Sequence, residues 1–248
     1  MPPFALREPV STWTHVVGLV AAFPTTWILL RATLRQVAAD PSAIAFKKGK
    51  VAAIAVFGFG MAACYGASAL YHGMNADTTT VDLLRRLDLV GIFLLIAGTF
   101  TPAAWALMRP SPRRIGTAVV WGISAACSAA VLIGRSFPTW MATIIYLSLG
   151  WGMVVCYMDI RRDYSRRTLR LLPIGGAFYS VGAALNLLHV PTLTPGFGPH
   201  EVFHLFVLAG TAAHVTFLYR VAIPAPPQHS RNPTTHLLRK VQRVTIDA

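Results

Sequence analysis

The chain has 248 residues, 54% hydrophobic and 12% charged, with a net charge of +13 and a mean hydropathy of +0.54. A soluble domain carries about 25% charged residues. Half that charge density, with this apolar content, excludes an ordinary soluble domain and points to a polytopic membrane protein.

The opening residues, MPPFALREPV, hold one basic and one acidic side chain. They have no short apolar core before a small-residue cleavage site, so no cleavable signal peptide is expected. Helix 1 is predicted over about 12–35, helix 2 over about 51–75 and helix 3 over about 86–108. Helix 4 follows over about 114–134, helix 5 over about 138–159, helix 6 over about 170–190 and helix 7 over about 199–220. Each coincides with a charge-free window long enough to cross a bilayer, although the sixth window also takes in a loop, VPTLTPGFGP. The alternation expected of a membrane barrel is absent. The predicted fold class is therefore all-α: a polytopic integral membrane protein built as a seven-transmembrane-helix bundle. Residues 1–220 form this domain, and residues 221–248 form a basic, Pro-rich tail expected to be disordered or to lie on the surface. Cys64, Cys127 and Cys156 fall within different helices and read as small buried residues, not as a disulfide or metal framework.

Basic residues divide sharply between the two faces. With seven spans, the N-terminal face holds only Arg7, Arg85, Arg86 and Arg135, and the rest of the 22 Lys and Arg lie on the other face. The positive-inside rule then places the C-terminus in the cytoplasm and the N-terminus outside, in a plasma (inner) membrane. Contact with anionic membrane lipids accounts for the charge. No basic-aromatic module accompanies it, so nucleic acid is not an expected partner.

Polar side chains at membrane depth are costly and demand a reason. Four stretches stand out: EPVSTWTH with Glu8, Ser11 and His15; SALYH with Ser68 and His72; RRLDLVGIF with Asp88; and PHEVFH with His200, Glu201 and His204. Helices 1, 3 and 7 start on the N-terminal face and helix 2 ends there, so all four stretches lie together. Ser11/His15, Ser68/His72 and His200/His204 are spaced i, i+4, each pair on one helical face. His200 and His204 can chelate one metal ion, and His72 can supply a third imidazole. Three nitrogens and an open position is the layout of catalytic zinc. H-E-x-x-H also occurs in zinc metalloproteases, with the Glu as base. That alternative leaves His72 and the other clusters without a role. His214 lies about 80° off the face of His204 and reads as a histidine bonded to a neighbouring helix. His189 reads as interfacial. Asp88 alone would be a cap or a partner of Arg85 or Arg86.

EPVSTWTHVVG, SALYH, RRLDLVGIFLLIAGTFTP and HEVFHLFVLAGTAAH, in this order along the chain, resemble the hemolysin III branch of the progestin and adipoQ receptor superfamily. Leu89 stands where bacterial relatives often carry His. The resemblance implies a zinc ion held by His72, His200 and His204, and a water on that zinc contacted by Asp88, with Ser68 nearby. It implies supporting roles for Glu8, Ser11 and His15 and leaves Glu201 unassigned. Relatives in the superfamily include ceramide amidases, so a zinc-dependent hydrolase of a lipid-like amide or ester is the function expected. The alternative is a membrane-perturbing or receptor-like protein in which the zinc is structural. In the receptor branch the metal face is cytoplasmic, opposite to the orientation that this chain's loop charges give.

Overall fold

The computed structural model describes residues 6–39, 43–135, 137–194 and 196–227. It is all-helical: α1 (Pro9–Ala39), α2 (Ile44–Gly73), α3 (Thr78–Leu107), α4 (Pro110–Leu132), α5 (Thr139–Trp151), α6 (Met153–Ile160), α7 (Arg166–Leu169), α8 (Leu171–Leu187) and α9 (Pro199–Phe217). A π-helical turn, Leu218–Ala222, extends α9. Among the described residues, seven segments are long and apolar enough to cross a membrane: α1 to α4, then Thr139–Ile160, Arg166–Leu187 and Pro199–Ala222. The chain is an integral membrane protein with seven spans.

The helices run beyond the predicted limits where charged residues continue them. α2 begins at Ile44, seven residues before the apolar window, because Lys47, Lys48 and Lys50 are good helix formers. The charges end the window, not the helix. α3 begins at Thr78 because Asp77 caps it: its carboxylate accepts from the N–H groups of Thr79 and Thr80 at 2.9 and 3.0 Å. Those bonds, the Thr80 hydroxyl's first, hold the Asp77 carboxyl below its ordinary pKa. The fifth span is broken at Gly152, between α5 and α6; glycine is a poor helix former.

α2 and α3 approach closely because glycines face the partner backbone. A Cβ at Gly91 would lie 2.7 Å from Cys64 Cα, and one at Gly60 2.7 Å from Leu94 O. Phe57, Met61, Tyr65, Ala97, Phe100 and Ala104 fill the resulting core. On α1 an outward stripe of Trp13, Val17, Val20, Phe23 and Trp27 is exposed, as expected for a helix facing hydrocarbon. All three cysteines are free, Cys64 and Cys156 buried among apolar neighbours.

The start of the predicted tail belongs to the bundle. Val221, Ala222, Ile223 and Ala225 are buried. The buried Lys50 ammonium donates to the carbonyls of Ile223 and Ala225 at 2.7 and 2.9 Å. An apolar segment leaving a helix carries orphan carbonyls, and a lysine on α2 satisfies two of them. Residues 228–248 of the tail lie outside the described residues.

Candidate metal centre

The ends of α2 and α9 meet on the N-terminal side of the bundle, beside the starts of α1 and α3. His72 lies in the last turn of α2, where its backbone carbonyl accepts from Glu8 N–H at 3.0 Å. Arg7 N–H bonds to Gly73 O, its guanidinium bonds to Tyr71 O, and that guanidinium lies over the Tyr71 ring at 4.4 Å. The segment before α1 thus satisfies the open carbonyls of α2 and fixes the turn that carries His72. His200 and His204 stand one turn apart on α9, whose first turn is set by Pro199 and by Glu201.

The three imidazoles converge. His200 Nε2 lies 3.3 Å from His72 Nε2 and 3.1 Å from His204 Nε2. Their partners fix the tautomers. His72 Nδ1–H donates to Glu8 Oε2 at 2.6 Å, leaving His72 Nε2 a bare lone pair. The Thr14 hydroxyl donates to Ser11 O at 2.8 Å, so its oxygen accepts from His204 Nδ1–H at 3.3 Å. His204 Nε2 is then also a lone pair. His200 Nε2 can offer one proton to one of them, and the other lone pair is left without a donor. A cation among the three removes that deficit. Nitrogens about 2.0–2.1 Å from a tetrahedral metal lie about 3.3–3.4 Å apart, close to the spacing seen. The buried cluster of His72, His200 and His204 could therefore hold a metal ion, and among the described residues no fourth metal-binding side chain joins it.

The surrounding side chains take distinct places. Ser68, buried one turn before His72 on α2, lines the same cavity as Asp88 on α3. Arg85 and Arg86 bind Asp82, at 2.8 and 2.7 Å, and not Asp88. Asp88 is therefore neither a cap nor their ion-pair partner. Glu201 faces away from the ring cluster: Oε2 accepts from Gly198 N–H and Oε1 from the Ser11 hydroxyl, each at 2.8 Å. It closes the N-terminus of α9 and ties it to α1. Ser11 reaches the centre through Thr14, whose hydroxyl bonds both the Ser11 carbonyl and His204, and Glu8 reaches it through His72. His15 packs edge-on against His204, ring centroids 4.0 Å apart, and neither of its ring nitrogens has a hydrogen-bond partner.

His214 stands apart from the cluster, as its position around the helix implied. Its Nε2 bonds to Leu172 O on α8 at 3.3 Å. His189 is exposed beyond α8. Thr14 was missed in the sequence, although it precedes His15 within STWTH. Only the packing of α1 on α9 shows that it meets a ring of the cluster.

Ser68, Asp88, His15, His200 and His204 all line one cavity of about 610 Å³ that reaches Leu172 and Tyr157 in the other half of the bundle. Its walls are mostly apolar, and its size suits a lipid-sized ligand.

A seven-span bundle with a buried three-histidine cluster at one end of a large apolar chamber is a membrane protein with a candidate metal site. The family model described as "Haemolysin-III related" matches residues 5–215, and the chain belongs to that family. It is 26% identical to the hemolysin-3 homolog of Bacillus subtilis, over 89% of this chain and 98% of the relative. It is 28% identical to hemolysin-3 of Bacillus cereus, over 86% and 90%. It is 27% identical to the adiponectin receptor protein of Drosophila melanogaster, over 84% of this chain and 49% of that longer protein. The family is thus distantly related to the adiponectin receptors.

Proposed function

We propose that the chain is a membrane-embedded, zinc-dependent hydrolase of a lipid-like amide or ester. One observation carries the reading: His72 Nε2 and His204 Nε2 stand 3.3 and 3.1 Å from His200 Nε2, and His200 and His204 line the same apolar cavity as Ser68 and Asp88. A donor set of three imidazoles suits zinc. When bound, zinc would supply a Lewis acid that lowers its water's pKa to about 7.

The chain's own residues divide the remaining work. Glu8 and Thr14 hold His72 and His204 with their Nε2 atoms toward the ion. Asp88 takes a proton from the attacking water at a carboxylate oxygen and passes it to the leaving group. Ser68, on the same cavity wall, donates its hydroxyl to the oxyanion as charge develops. In the amide case the C–N bond breaks, the water's hydroxyl ends on the acyl carbon and its proton on the amine. The apolar cavity receives the hydrocarbon chain and keeps bulk water from it. The loop charges orient the centre toward the outer face of a plasma membrane.

A second reading keeps the metal as a structural clamp in a membrane-perturbing or receptor-like protein. It is favoured by the cluster's span across two helices, α2 and α9, and by the names of the relatives. A metalloprotease with Glu201 as base fits poorly, because both carboxylate oxygens are engaged in closing α9.

The test is elemental analysis of the purified protein and of His204→Ala, followed by incubation of metal-replete protein with a panel of lipid amides and esters. Bound zinc with turnover of one class is expected. Absence of metal in the wild type, no turnover of any class, or full activity in Asp88→Ala each rejects the proposal. A C-terminal reporter fusion checks the orientation.

A further inference from the structure

The cavity wall contributed by α3 is ordered by polarity. Arg85, Asp88, Ile92, Leu95, Thr99 and Phe100 lie along it, spaced three or four residues apart except at its end. They form one helical stripe about 22 Å long. A cation stands at the membrane-surface end, an acid one turn deeper, and a nearly all-apolar wall follows. Arg85 is not neutralised in place. It and Arg86 share a single carboxylate, Asp82, so the group keeps a net positive charge. Both Arg85 contacts go to one oxygen, Asp82 Oδ1, through Nε and Nη2. Five N–H donors are available on a guanidinium, so several remain for another anion. Of the nearby acids, Glu8 is engaged by Arg7 and His72 and Glu201 by Ser11 and Gly198, while Asp88 stands one turn deeper on the same stripe.

We infer that the cavity takes an anionic amphiphile, with a carboxylate or phosphate on the polar side of the scissile bond bound by Arg85. The inference rests on the hydrolase reading for the bond that is cut, but the anion site stands on the stripe itself. A fatty-acyl glycine has this order: carboxylate, amide, hydrocarbon chain. Its neutral isostere, the fatty-acyl ethanolamine, lacks only the charge.

The experiment measures binding without turnover. Asp88→Asn protein in nanodiscs of zwitterionic lipid is titrated with the acyl glycine and the acyl ethanolamine, each displacing a fluorescent fatty amphiphile. The acyl glycine should bind about ten- to a hundred-fold more tightly, the range of a charge-assisted hydrogen-bonded pair. Arg85→Gln should reduce that ratio to about two or less, and Arg85→Lys should keep part of it. Equal binding of the two probes to the parent protein overturns the inference, and that comparison needs no Arg85 variant. Loss of the preference in nanodiscs containing anionic lipid also overturns it, because the site would then belong to bilayer headgroups. A preference without hydrolysis of either probe by the metal-replete wild type keeps the anion site and rejects the simple acyl amide as the bond that is cut, leaving the hydrolase reading to the wider lipid panel.

Discussion

Both ends of the bundle bury polar groups, and they settle them in opposite ways. At the C-terminal end, among the described residues, buried donors are matched to acceptors. Lys50 serves the carbonyls of Ile223 and Ala225, Trp105 Nε1–H donates to Phe46 O at 2.9 Å, and Arg109 pairs with Asp159. At the N-terminal end the lone pairs of His72 and His204 both face His200 Nε2, which has at most one proton to give. The difference separates two uses of polarity in a membrane. Matched pairs hold architecture, because burial makes every unmet donor expensive. A lone pair left without a donor calls for a cation that the side chains do not supply.

The sharpest way to break this contrast is to delete one ring of the cluster. His204→Ala should lower bound zinc from about one equivalent to near zero by elemental analysis, because two remaining imidazoles do not complete the site. Bound zinc equal to wild type would show that the cluster does not hold the ion. Next in size is Asp88→Ala, which should retain zinc while hydrolysis falls about 10²- to 10⁴-fold. Zinc loss in parallel with activity would make Asp88 a ligand. Glu8→Gln should weaken zinc binding about 10- to 100-fold in a chelator competition, since it removes the charge behind His72 Nδ1.

The opposite end gives the control. Lys50→Ala should destabilise the protein by about 1–3 kcal/mol in detergent unfolding, by leaving buried carbonyls without a donor, with zinc content unchanged. A lysine variant that lost zinc would couple the two ends and blur the comparison. The smallest effect is expected of Glu201→Gln. Glutamine still accepts from the Gly198 N–H, so activity should stay within about tenfold of wild type. Abolished turnover with zinc retained would revive Glu201 as a base.

Much of this was legible in one dimension. Charge-free windows marked the seven spans because hydrocarbon penalises charge irrespective of neighbours. Their ends were less legible. Lys47, Lys48 and Lys50 end an apolar window but continue α2, and Gly152 divides a span that hydropathy reads as continuous. The tail boundary at residue 221 was misplaced because nothing local shows that Lys50, more than 170 residues away in sequence, would bind carbonyls there. The i, i+4 spacing of His200 and His204 was visible because helical geometry makes it a local property.

What the sequence determined by itself was the set of spans, the face on which the polar residues gather and the identity of the three histidines. Those follow from solvent preference and helical period, which act residue by residue. What only the tertiary structure decided was partnership: that Glu8 rather than Asp88 bonds His72, that Thr14 bonds His204, that Glu201 closes α9, and that Arg85 binds Asp82 at the mouth of the cavity. The physical reason is range. A hydrogen bond selects its partner within about 3 Å, and when the partner lies on another helix that distance is fixed by how the helices pack.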